Sequence, residues 1–192
     1  MDRTAHIADA SRRLAWGKCL NNGQVCIAPD YLLVEEAIAD EFTGALRDQF
    51  AAMYGQEPEE QLKNIQRSTI VNLAQFSRLV ALVEDAIQQG AKVVHGGTWD
   101  AHTLRMAPTL LADVHMDMNI MKEEIFGPIL PILRWRQPEE ADNILRANPH
   151  PLAMYVFSKD QSAIQHWTTA HPAGTTGINE VVLQVAQPDL PF

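Results

Sequence analysis

Little in this 192-residue sequence points to disulfides, metals, membranes or nucleic acid. It has two cysteines, Cys19 and Cys26, too few for a disulfide scaffold and without the Cys-x-x-Cys spacing of a zinc site. The seven histidines, at 6, 95, 102, 115, 150, 166 and 171, show no metal-ligand spacing. Each reads as a surface or cap residue, and no metal is expected. Neither G-x-G-x-x-G nor G-x-x-x-x-G-K-[ST] occurs, so the usual phosphate-cradling loops are missing. No apolar run approaches the roughly 20 residues that span a bilayer. Asp2-Arg3-Thr4 does not open a secretory leader. Positive charge is scarce: 15 Lys and Arg against 24 Asp and Glu leave a net charge of -9, which disfavours nucleic-acid phosphate and anionic lipid as partners. The expectation is a cytoplasmic protein with reduced thiols, bound to neither nucleic acid nor membrane.

What is present is an ordinary core-forming composition. Hydrophobic residues make up 46% of the chain, enough for one sizeable domain. Ile7, Ala10, Leu14 and Ala15 share one face of a helix expected over Asp2–Leu20, which stops at Asn21-Asn22-Gly23. A strand over Tyr31–Val34 follows. Ile38, Phe42, Leu46, Phe50 and Met53 stripe a helix over 37–53. Residues 54–63 read as a polar loop, and 68–89 as a helix stopped by Gly90. Further strands are expected at 92–95, 129–135, 152–158 and 175–179, with a weaker extended segment at 107–112. Helices are expected at 138–147, with Pro138 in its first turn and Glu139 and Glu140 at the positive end of its dipole, and at 161–170, with Asp160 as its N-cap. Strands alternating with helices predict an α/β fold: a mainly parallel sheet in three layers with helices on both faces. No repeat or linker divides the chain.

Two short stretches carry the chemistry. In Asn21-Asn22-Gly23-Gln24-Val25-Cys26-Ile27-Ala28-Pro29-Asp30-Tyr31, a thiol sits between a helix-ending turn and a strand. A lone cysteine is as readily a small buried hydrophobe as a reactive group. Cys19, inside a helix, takes the first reading, whereas the residues around Cys26 leave both open. A cysteine hydrolase would need one of the histidines as base, and nothing around any of them marks it so. Glu123-Glu124-Ile125-Phe126-Gly127-Pro128 stands before another strand. By itself it reads as a solvated acidic pair, a core aromatic and a turn.

Together these stretches resemble the two signatures of the aldehyde dehydrogenases. Arg13-Leu14-Ala15-Trp16-Gly17-Lys18 and the run to Tyr31 are similar to the nucleophile region of the class 3 and coniferyl aldehyde branch. Pro108-Thr109-Leu110, Pro151-Leu152-Ala153-Met154-Tyr155 and Gln187-Pro188-Asp189-Leu190-Pro191-Phe192 match in order as well, so the resemblance covers nearly the whole chain. It implies the fold of that family's catalytic domain over residues 1–192. The implied reaction is NAD- or NADP-dependent oxidation of an aldehyde, aromatic and coniferyl-type or medium-chain, to a carboxylic acid. Cys26 matches the nucleophile that forms a thiohemiacetal and then a thioester, and its backbone N–H matches one oxyanion donor. Glu124 matches the carboxylate that binds the nicotinamide ribose, and Phe126 the aromatic beside it. Val25, Cys19 and Glu180 stand where the family more often has threonine, a large apolar residue and aspartate.

The family's general-base glutamate, its side-chain oxyanion asparagine and most of its cofactor domain precede the cysteine, and an oligomerising tail follows the last matched motif. The resemblance therefore implies a catalytic domain without its cofactor-binding domain and tail, inactive alone, from a parent expected to be a homo-oligomer. Related acyl-transferring or reductive members, and a non-catalytic interaction domain, are the alternatives.

Overall fold

The periodic stripes become helices that cover a buried sheet. The computed structural model describes residues 1–190. The helices are α1 (Ile7–Cys19), α2 (Glu36–Tyr54), α3 (Pro58–Lys63), α4 (Leu73–Gln88), α5 (Pro138–Ala147) and α6 (Gln161–Ala170). The strands are β1 (Leu32–Glu35), β2 (Lys92–His95), β3 (Trp99–Asp100), β4 (Arg105–Met106), β5 (Thr109–Ala112), β6 (Ile129–Trp135), β7 (Ala153–Val156) and β8 (Thr175–Ile178). Four strands form a sheet in the order β1-β6-β5-β2. In it β1 and β5 run parallel to β6, and β2 is antiparallel to β5. β7 and β8 form a separate parallel pair, and β3 and β4 a small antiparallel one.

The central strand explains the layering. Ile129, Leu130, Ile132 and Leu133 of β6 are almost fully buried, the pattern of a strand covered on both faces. Alternate side chains enter different cores. Leu130 and Ile132 pack with Leu14 of α1 and Phe42, Leu46 and Phe50 of α2. Ile129 and Leu133 pack with Phe76, Leu79 and Val83 of α4. The expected three-layer, mainly parallel architecture is what the chain adopts.

Local expectations hold where caps are explicit. Pro138 opens α5 with Glu139 and Glu140 in its first turn, and the Asp160 carboxylate accepts from Ser162 N and Ala163 N. Three expectations are corrected. α1 starts at Ile7 rather than at residue 2, because the Asp2 carboxylate accepts from the Thr4 N–H and hydroxyl and holds a turn there. α4 starts at Leu73 rather than 68, where Asn72 caps Gln75 N. The stretch 54–63, read as loop, contains α3, which Pro58 at its first turn and a reciprocal Glu57–Glu60 capping box stabilise. The β3–β4 hairpin was not anticipated, and two-residue strands leave no period to read. His171 is a cap residue, at the C-terminus of α6, and is buried, with its Nε2 2.6 Å from Asp142 Oδ1.

Candidate active site

The connection after α1 is unusually constrained. Asn21, Asn22 and Gly23 have left-handed φ of 46°, 58° and 73°, a region asparagine and glycine tolerate best. Buried Arg67 holds this shape: its guanidinium bonds the Asn22 side-chain oxygen, Met106 O at 2.8 Å and Gln61 O at 3.1 Å. The Gln24 amide donates to Thr69 O at 2.9 Å and accepts from Val71 N at 2.9 Å. A turn closed by Ala28 N donating to Val25 O at 2.9 Å then carries Cys26. Tyr155 secures its far side, its hydroxyl donating to Ile27 O at 2.7 Å. Cys26 is exposed at this tip, between the helix-ending turn and β1, as its sequence context suggested. Its backbone N–H donates to no group among the described residues. Cys19 behaves as expected: it is 8% exposed, and burial pushes its thiol up to about 11.

The second stretch is held by α4. One nitrogen of Arg78 donates to Glu123 Oε2 at 2.8 Å and Glu124 O at 3.1 Å, and another bonds Ile125 O. Gln75 donates to Phe126 O at 3.3 Å. Phe126 itself has a φ of 50°, a strained value for an aromatic residue. With its backbone so fixed, the Glu124 side chain is exposed and makes no hydrogen bond or ion pair among the described residues.

The two stretches touch. A Cβ on Gly23 would lie 2.2 Å from Gly127 O, so the absence of a side chain lets the two backbones meet. Asp30 adds a second link, its carboxylate accepting from Ile125 N at 3.1 Å. Burial raises the Asp30 pKa, opposed by nearby Lys18. Cys26, Glu124 and Phe126 consequently line one cleft of about 750 Å³, together with Lys18, Asp30 and Tyr155 on its walls.

Lys18, Asp30, Arg67, Arg78 and Tyr155 were not singled out from the sequence. For Lys18 a signal existed. It continues the 7-10-14 stripe of α1 by one more turn, which places a lysine on the core face. It is 1% exposed and has no hydrogen bond or ion pair among the described residues. Burial lowers its pKa from 10.5 to about 8, against the pull of Asp30, Cys19 and Glu124. Between pH 8 and 10.5 the unfolded chain therefore holds the proton that the folded chain has lost, so Lys18 makes stability rise with pH across that window. Lys18→Met is expected to be more stable than the unaltered chain at pH 7, by as much as about 3 kcal/mol. That advantage should shrink steadily from pH 8 to 10.5. Urea melts of both proteins across this range check it, and a pH-independent difference would contradict it.

The comparisons with known proteins agree with this fold. The family model described as "Aldehyde dehydrogenase family" matches residues 1–192. The chain is 37% identical over its full length to the dimeric NADP-preferring aldehyde dehydrogenase of Rattus norvegicus, covering 41% of that protein. It is 41% identical over 196 aligned positions to the 4,4'-diaponeurosporen-aldehyde dehydrogenase of Staphylococcus aureus, covering all of this chain and 40% of that protein. The solved substrate-bound state of Staphylococcus aureus AldH superposes with a TM-score of 0.93 at 39% identity, over all of this chain and 40% of that one. The chain thus spans about two fifths of these relatives' length. With its whole length matched and both signature stretches folded into one cleft, it belongs to the aldehyde dehydrogenase family.

Proposed function

We propose that residues 1–192 are the catalytic domain of an NAD- or NADP-dependent aldehyde dehydrogenase that turns an aldehyde into a carboxylic acid at Cys26. The observation that carries this reading is the junction of the two signature turns, Gly23 against Gly127 and Asp30 against Ile125. It presents an exposed thiol and an unbonded carboxylate to one cleft.

Cys26 Sγ adds to the aldehyde carbon, and the oxygen that takes up the charge faces the free Cys26 N–H, a donor suited to an oxyanion. Loss of hydride from that carbon gives the thioester, and water then releases the acid and restores the thiol. The nicotinamide cofactor, when bound, supplies the hydride acceptor. Glu124 fits a ribose hydroxyl, because its carboxylate has no competing partner among the described residues and a charge-assisted bond would orient the sugar. Phe126, partly buried beside it, fits the flat ring end. These residues reach one end of a dinucleotide, so tight binding and thioester hydrolysis are assigned to the rest of the full-length protein. A homo-oligomeric parent is in keeping with a relative named as dimeric. A reducing cytoplasmic location is in keeping with two unbridged cysteines. No described helix is long and apolar enough to cross a membrane.

The test is reduced-cofactor formation by the full-length protein with aromatic and medium-chain aldehydes, each with NAD and with NADP. Turnover is expected from the full-length protein and none from residues 1–192 alone. A full-length protein that reduces neither cofactor with any of these aldehydes would overturn the proposal.

A further inference from the structure

The Tyr155 hydroxyl is the centre of three hydrogen bonds. It donates to Ile27 O at 2.7 Å. Its oxygen accepts from Val182 N at 3.2 Å and from the Gln184 amide nitrogen at 3.0 Å. A phenol has one hydrogen to give, and Ile27 takes it. Both sides of this node are anchored. Tyr155 pairs with Gly177 in the β7–β8 register, and a Cβ on that glycine would fall 2.9 Å from the tyrosine ring. Val182 is 2% exposed and has a φ of 65°, a strained value for a β-branched residue. It packs against α1 beside Val181, whose Cγ2 would lie 2.5 Å from a Cβ on Gly17.

Two rigid planes carry this restraint to Cys26. Ile27 C=O and Ala28 N–H belong to one planar unit. Tyr155 holds its oxygen, and its N–H donates to Val25 O at 2.9 Å. Val25 C=O and Cys26 N–H form a second planar unit. In a trans unit the two groups point opposite ways. With Val25 O turned into the bend, the Cys26 N–H points out of it. That N–H has no partner among the described residues, and Cys26 and Tyr155 both line the cleft.

We propose that Tyr155, braced by Gln184, is a positioning residue for the nucleophile turn: it fixes the direction of the Cys26 N–H and so its alignment on an oxyanion. This rests on the role given above to that N–H in addition to a carbonyl. Hydrogen bonds weaken steeply once the donor angle falls toward about 120°. Releasing the Ile27–Ala28 plane therefore slows carbonyl addition without touching the sulfur. Gln184 and the Val182 N–H polarise the phenol by donating to its oxygen, which strengthens the bond it gives to Ile27 O.

Two reactions of the same sulfur separate alignment from packing. With p-nitrophenyl acetate the Cys26 thiolate adds to the carbonyl, the oxygen takes up the charge, and nitrophenolate leaves behind a thioester. With iodoacetamide the thiolate displaces iodide, and no oxyanion forms. Both are read on the full-length protein without cofactor, as the part of each rate that Cys26→Ala abolishes. Tyr155→Phe is expected to slow acylation about tenfold, less than the loss of a whole oxyanion donor, and to leave alkylation within about twofold. Gln184→Ala should slow acylation about threefold. Its side chain is only half-buried, so it tests the node even where Tyr155→Phe does not fold. The double variant should match Tyr155→Phe, because Gln184 acts through the hydroxyl. Unchanged acylation in either single variant, both reactions slowed alike, or losses that multiply in the double variant would each overturn the proposal. The dehydrogenase reading fails by a separate sign, the absence of cofactor reduction with any aldehyde, which leaves the comparison of these two rates intact.

Discussion

Replacing Cys26 by alanine in the full-length protein is expected to lower turnover by a factor on the order of 10⁴ or more, the scale on which enzymes lose activity with their nucleophile. The thiol is exposed and packs against little, so stability should change by no more than about 0.5 kcal/mol. The lost activity would then not be a folding effect. Glu124→Gln provides the contrast. It keeps the nucleophile and removes a charge from an exposed acceptor, so KM for the cofactor should rise about tenfold, the scale of one charged hydrogen bond, with kcat lowered less. Steady-state kinetics on both variants, beside urea melts, separate the two roles. A Cys26→Ala protein that turns over at the original rate would remove Cys26 from the mechanism.

Gly23→Ala is expected to be strongly destabilising, costing about 2–5 kcal/mol. Two effects add. Alanine is strained at a φ of 73°, and its Cβ would fall 2.2 Å from Gly127 O and 2.5 Å from the carbonyl carbon. Those are backbone atoms, with no rotamer to turn aside, so relief requires the two turns to part. Gly44→Ala is the control. Gly44 lies inside α2 with nothing within 4 Å of a new Cβ, so the same chemical change there should stabilise by about 0.5–1 kcal/mol. Urea denaturation of the pair checks the prediction, and a Gly23→Ala chain as stable as the original would mean that the turns do not depend on this contact.

The fold was legible because its signals are local or periodic. The stripes of α2 and α4, the Pro138 and Asp160 caps and the alternation of strand and helix each follow from a few adjacent residues. The sheet's division into β1-β6-β5-β2 and a separate β7–β8 pair was not legible, since pairing across a gap leaves no mark on either strand. At the candidate site, Cys26, Glu124 and Phe126 were visible as motif residues, and the structure brings them to one cleft. Their supports were not visible. Arg67, Arg78 and Tyr155 act in large part through backbone carbonyls, as Arg67 does with Met106 O and Tyr155 with Ile27 O. A bond to a carbonyl asks nothing of the partner's side chain and so leaves no pattern. Lys18 is the exception, because a lysine on the apolar stripe of α1 breaks a rule that sequence alone can check.

The bond from Ile125 N to the Asp30 carboxylate spans 95 residues, and this separation orders events in time. Closing so long a loop costs entropy before any contact repays it. Cys19 can enter its helix from neighbours already made. The turn that carries Cys26 cannot be locked until the other half of the chain exists. At about 5–20 residues per second on the ribosome, roughly 5–20 s pass between synthesis of the thiol and synthesis of its clamp. For that interval the side chain assigned to attack aldehydes sits on a turn whose shape is not yet fixed, and it stays exposed once the turn has closed.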